Sequence, residues 1–91
     1  MKRYPSQFGT VTLTNERWRH IVEYHPEVVK YSKHILVTLV EPELVVMSKH
    51  DSLVFVFYKP VGRNLKLAVV VGTRKPNIIL TAYLTTKTNK L

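Results

Sequence analysis

Two histidines and a hydroxylated strand are the groups in this chain with chemistry to offer. His20 and His25 lie five apart, on or beside a predicted helix. Histidine trades protons near neutral pH. A pair can divide the labour, one taking a proton and the other giving one. Far downstream, the segment Asn77-Ile78-Ile79-Leu80-Thr81-Ala82-Tyr83-Leu84-Thr85 alternates in character. Successive strand side chains point to opposite faces. Ile78, Leu80, Ala82 and Leu84 are therefore expected in a core, with Thr81, Tyr83 and Thr85 on an open surface.

Cations extend that surface. Lys66, Ala68, Val70 and Gly72 share one face of the preceding strand, and Arg74 continues the row. Leu65, Leu67, Val69 and Val71 form its core face. If the two apolar faces coincide, Lys66, Arg74, Thr81, Tyr83 and Thr85 share one sheet surface, joined by Lys59 or Tyr58 according to register. Hydroxyls contact phosphate oxygens, and cations stabilise extra negative charge at phosphorus.

The reaction that fits is metal-independent RNA cleavage. A general base removes the ribose 2′-OH proton, and the oxygen attacks the adjacent phosphorus. A general acid protonates the leaving 5′ oxygen, giving a 2′,3′-cyclic phosphate and a 5′-hydroxyl. The 2′-OH is also what excludes DNA. In this reading His20 is the base or acid and His25 its partner or structural support. Arg74 stabilises charge, with Lys59 or Lys66 as substitutes. Thr81 binds phosphate, and Tyr83 bonds phosphate or stacks on a base. Arg17, beside His20, and Thr85 join the substrate-binding set.

Composition points the same way. The 91 residues carry 14 Lys and Arg against 6 Asp and Glu, a formal net charge of +8. A single-sign field of this strength favours a nucleic acid or an acidic protein partner. The chain has no cysteine, hence no disulfide, thiolate nucleophile or thiolate metal ligand. The histidine spacing is not the helical i, i+4 pair of a zinc site, and no dense acidic cluster adds ligands. No metal or cofactor is expected. His34 and His50 read as solvated. The N-terminus lacks the apolar run of a secretory signal, and no apolar stretch is long enough to cross a bilayer. The expected location is cytoplasmic.

The elements that must position these groups fit one domain over 1–91, with 1–9 extended or poorly ordered. Thr14 or Asn15 caps a first helix. Trp18, Ile21, Val22 and His25 fall at i, i+3, i+4 and i+7 along it, and Pro26 ends or breaks it. His25 falls inside the apolar stripe, and His20 just beyond its edge beside Tyr24 and Arg17. A second helix is predicted from about Ser32 to Val40. Four β segments follow, 44–48, 53–59, 65–72 and 78–85, joined by short turns. Such turns connect antiparallel neighbours. The expected fold is α+β, with two N-terminal helices packed on a four-stranded antiparallel sheet.

Four motifs in order, Glu16-Arg17-Trp18-Arg19-His20-Ile21, His25-Pro26-Glu27, Glu41-Pro42-Glu43-Leu44-Val45 and Leu80-Thr81-Ala82-Tyr83, resemble the phage-associated branch of the Barnase–EndoU–colicin–RelE-like nucleases. The match runs from about 13 to 87. The resemblance implies the same helices-on-sheet arrangement, a toxin-like ribonuclease and an acidic antitoxin or immunity protein as partner. It carries function onto His20, the His25-Pro26-Glu27 turn, Thr81 and Tyr83. The alternative is a non-catalytic RNA-binding or protein-interaction module using the same basic face.

Overall fold

The structure, a computed structural model, describes residues 1–86; the end of the resembling stretch, Lys87, lies outside them. The elements are β1 (Lys2–Tyr4), β2 (Val11–Leu13), α1 (Asn15–Tyr24), a 3-10 helix (Pro26–Tyr31), α2 (His34–Val40), β3 (Leu44–Met47), β4 (Val54–Gly62), β5 (Leu65–Gly72) and β6 (Asn77–Thr85). They build one six-stranded sheet in the order β1-β2-β6-β5-β4-β3. The β2–β6 pair is parallel, and the other neighbours are antiparallel.

The fold expectation is corrected here. The sheet has six strands and is mixed, not four and antiparallel. The two additional strands come from the N-terminus. Lys2–Tyr4 pairs with Val11–Leu13, which then docks on the start of β6. The buried Asn77 side chain ties this arrangement together, because its amide donates to the Phe8 and Thr10 carbonyls at 2.8 and 3.2 Å. Phe8 packs on Phe55 and Phe57 from the same loop.

Helix α1 forms as its sequence requires. The Thr14 hydroxyl accepts from the Arg17 N–H at 3.1 Å, which satisfies one of the free first-turn donors. Pro26 keeps His25 out of the helical region, at φ −138 and ψ 62. The proline then opens the 3-10 helix, so the segment before α2 is wound.

Both faces of the sheet are apolar at their centres. Leu67, Val69 and Val71 of β5 join Phe57, Ile79, Ala82 and the helix residues Ile21, Val28, Ile35 and Leu39 in the main core. On the opposite face, Val56, Tyr58, Ala68 and Val70 are buried, flanked by Val46, Val54, Leu80 and Tyr83. This second cluster replaces the open polar wall expected from β5 and β6 alone. In register, β4 and β3 contribute Val54, Val56 and Val46 to the same face.

A bulge changes the alternation of β6. Val70 pairs with Thr81 and Val71 with Ile79, so Leu80 is the extra residue. Ile79, Ala82 and Leu84 face the helices, and Leu80 turns to the other side with Thr81 and Tyr83. The even-numbered core face expected for Ile78, Leu80, Ala82 and Leu84 therefore holds only from Ala82 onward. Gly72 leaves the space that Leu80 occupies: a Cβ there would stand 3.2 Å from the Leu80 side chain.

Candidate active site

The seam between α1 and β6 collects the groups with proton chemistry. Beyond the short β2 pairing, β6 borders α1. There the Arg17 guanidinium donates to the Leu80 carbonyl at 3.2 Å. The bulge presents this carbonyl, and the guanidinium fixes the helix against it. At the other end of α1, the His25 ring meets the Tyr83 ring with centroids 5.9 Å apart. The helix thus runs alongside β6, from Arg17 at Leu80 to His25 at Tyr83.

His25 sits where the helix stops. Its backbone N–H closes the last turn on the Ile21 carbonyl, which leaves the imidazole to project from the end. Glu27 places a carboxylate oxygen 3.8 Å from Nδ1, and the histidine side chain is 35% exposed. The ring therefore has a carboxylate on one side, an aromatic on another and access to solvent. An arrangement of this kind can orient an imidazole for proton transfer. The expectation of a histidine inside the apolar stripe is corrected: the helix ends before His25 can complete the stripe.

His20 is half-buried, and its ring contact is with Tyr24 at 4.9 Å. Arg17, His20 and Tyr24 follow one another at successive turns of one helix stripe. On the sheet side, the histidine that meets Tyr83 is His25.

Tyr83 has a second partner. Tyr58 and Tyr83 both pair with Ala68, one from each side. The small alanine lets the two phenols stand beside each other above it. Tyr58 is only 1% exposed. Burial, with the Tyr83 phenol beside it, pushes its pKa up to about 12. Register thus places Tyr58 beside Tyr83 and turns Lys59 to the helix side, opposite Leu67. Tyr58 and Glu27 complete the cluster around His25 and Tyr83. The alternating Val54, Val56 and Tyr58 was the available signal for the first, and the short His25-Pro26-Glu27 turn for the second.

This predicts a pH window. The unfolded chain ionises the phenol near 10.0 and the folded chain near 12. The stability that the proton contributes is fully present below the lower value and is lost as pH rises through the upper one. Urea midpoints measured on both sides of the window, for wild type and Tyr58→Phe, check this. The wild type should lose more stability across it, and parallel losses would contradict the assignment.

The cations are dispersed. Arg74 lies past the far end of β5 from the Ala68–Tyr83 pair and bonds Asp51 through two contacts, at 2.6 and 3.0 Å. That pairing holds the Asp51 carboxyl below its usual range and raises Arg74. Lys66 contacts Glu43 at 2.6 Å, and Lys59 donates to the Glu41 carbonyl at 2.6 Å. Thr85 lies opposite Lys66 in register. The single cationic cleft expected from Arg74, Lys59 and Lys66 is therefore not assembled. Among the described residues, the cation that reaches the seam is Arg17.

The Thr81 hydroxyl is also placed differently from expectation. It is buried and has no hydrogen-bond partner among the described residues. Removing such a group removes a desolvation cost. Thr81→Val is expected to leave stability unchanged or raise it by about 1 kcal/mol, measured by urea denaturation; a clear loss would mean that the hydroxyl is satisfied. His34, expected to be solvated, is half-buried, with an unpartnered Nδ1 and a ring contact to Tyr31.

Among the described residues, no three His, Asp or Glu side chains come together as metal ligands, and no helix is long and apolar enough to cross a membrane. No family model, curated protein or solved structure matches the chain significantly.

Proposed function

We propose that the α1–β6 seam cleaves single-stranded or looped RNA without a metal ion. The observation that carries this reading is the His25 imidazole between the Glu27 carboxylate at 3.8 Å and the Tyr83 ring at 5.9 Å, open to solvent. The formal net charge of +8 favours a polyanionic substrate. The similarity of the His25-Pro26-Glu27 and Leu80-Thr81-Ala82-Tyr83 motifs to the phage-associated nucleases supports the same chemistry.

His25 takes the 2′-OH proton, and the freed oxygen bonds to phosphorus. The bond from phosphorus to the 5′ oxygen breaks, and that oxygen takes a proton from His20. The products are a 2′,3′-cyclic phosphate and a 5′-hydroxyl. Five residues of helix rise about 7.5 Å along the axis, and this reading requires a phosphodiester that lies across the end of α1 to reach both imidazoles. Arg17, anchored on the Leu80 carbonyl, keeps further N–H donors for the charge that develops at phosphorus. Tyr83, beside Tyr58, bonds phosphate or stacks on a base. Arg74 and Thr81 stand outside the reacting set. An acidic protein of the antitoxin or immunity type is the partner that would restrain a toxin-like enzyme of this charge.

The test is incubation with single-stranded RNA in EDTA, followed by analysis of the ends. Fragments bearing 2′,3′-cyclic phosphate and 5′-hydroxyl ends are expected. Intact RNA, or cleavage that EDTA stops, would count against the proposal. Retarded but uncut RNA would identify a binding module.

A further inference from the structure

A cavity of about 170 Å³ lies where β1 and β2 meet the first turns of α1 and α2. Its walls are Tyr4, Leu13, Trp18 and Ile35, and Lys2 stands among its lining. We infer that this cavity is a binding site for one planar aromatic ring carrying an anionic group.

Size and wall chemistry set the ring. A dry protein cavity of about 150 Å³ lined by aliphatic and aromatic side chains holds benzene, so this space suits a single ring. Leu13 and Ile35 are buried, and the half-buried Trp18 offers an indole face for stacking.

The lining also holds Asn15, Ser32 and Met1, whose terminal ammonium donates to the Asn15 Oδ1 at 2.8 Å; of the polar groups, Tyr4 and Lys2 are the ones that set the anion. Tyr4 is 9% exposed as a residue; its phenol makes no hydrogen bond to the protein among the described residues, and its oxygen is not among the fully buried ones, so the O–H is open to a partner from the cavity. Its phenol is protonated, and so a donor, at neutral pH, and burial moves its pKa further up. Lys2 precedes Tyr4 by two residues, so both project from the same face of β1. Lys2 has no acidic partner among the described residues. A phenol donor and an ammonium beside an apolar slot complement a carboxylate or phosphate attached to a ring.

A shallow groove continues outward from Trp18 to Arg19 and Val22. It places a second cation within reach of a larger anion. The ring could thus come from a free aromatic acid or from a nucleotide whose phosphate lies towards Arg19. The cavity is a different place from the His25 seam: it takes Asn15 and Trp18 from the start of α1 with β1 and β2, whereas His25 follows the last turn of the helix and meets Tyr83 of β6. Its failure would leave the cleavage reading intact, and the reverse.

Trp18 is the only tryptophan in the chain, so its fluorescence reports the cavity directly. The protein is titrated with benzoate, with uridine monophosphate and with uncharged benzyl alcohol, and the indole N–H resonance is followed in parallel. Saturable change with at least one of the two anions is expected, and weaker change with the alcohol. Benzoate alone identifies a free acid as the source, and the nucleotide alone identifies a nucleotide. Tyr4→Phe and Lys2→Gln should each weaken the anion by about fivefold or more, the loss of one charge-assisted hydrogen bond. Lys2 is exposed, so its variant remains informative if Tyr4→Phe fails to fold. The inference is overturned if neither anion saturates below about 10 mM, if the alcohol binds as tightly as the anions, or if Lys2→Gln binds like wild type.

Discussion

His25→Ala is expected to slow RNA cleavage by about 10²–10⁴-fold, the range for a positioned general base, while the protein stays folded. The stability expectation follows from the backbone. At this position the main-chain N–H closes α1 on Ile21, and alanine keeps that bond. The side chain is 35% exposed and contributes little packing, so the unfolding free energy should stay within about 0.5 kcal/mol. His20→Ala should remove the limb of the pH–rate profile that belongs to the general acid. Glu27→Gln should cost less than His25→Ala, because it removes the orienting charge and leaves the imidazole. Arg74→Ala should leave the rate unchanged, since its guanidinium is committed to Asp51. Initial rates on a labelled oligonucleotide across pH check the series. Wild-type rates in His25→Ala would remove this histidine from the mechanism.

Ile21→Ala is expected to destabilise the domain by about 2–5 kcal/mol, the cost of deleting a large aliphatic side chain from a full core. Ile21 is the only buried residue of α1 and is fully inaccessible. It holds the helix to the sheet in the interval between the Arg17–Leu80 bond and the His25–Tyr83 contact. A small domain has a stability of only about 5–15 kcal/mol, so the loss is a large share of the total. It should appear as a lower urea midpoint with an unchanged slope. A loss under about 1 kcal/mol would mean that α1 is held elsewhere. Because the same helix carries Arg17, His20 and His25, cleavage should fall in this variant even where the folded fraction remains high.

The helices and the long strands were legible because local signals are dense there. Thr14 caps α1 and Pro26 stops it, and β5 is a β-branched-rich apolar run bounded by turn residues. The N-terminal strands were not legible. Three residues give too short an alternation, and Lys2 and Arg3 carry no apolar signal. Their pairing depends on Asn77, more than sixty residues away. The bulge at Leu80 was hidden for a related reason: Ile78, Ile79 and Leu80 are all apolar, so nothing in the sequence marks where the alternation slips.

Half of the candidate site could be read in the same way. His20, His25 and Tyr83 stand out by residue type, and the helix places Arg17 beside them. The cations could not be assigned, since their placement depends on partners across turns. Arg74 meets Asp51, and Lys66 meets Glu43, each twenty-three residues away. Tyr58 was one of two choices at its position until the register of β4 on β5 turned it to the Tyr83 face.

The most direct test of the seam separates binding from chemistry. A single-stranded RNA carrying 2′-O-methyl groups has no free 2′-OH and cannot be cut by this route. Added to isotopically labelled protein, it should shift the ring resonances of His25 and Tyr83 first, with those of His20, Tyr24 and the Arg17 side chain. Shifts confined to the Arg74 turn or to β3, with His25 and Tyr83 unmoved at saturation, would contradict the proposal that RNA is held between α1 and β6.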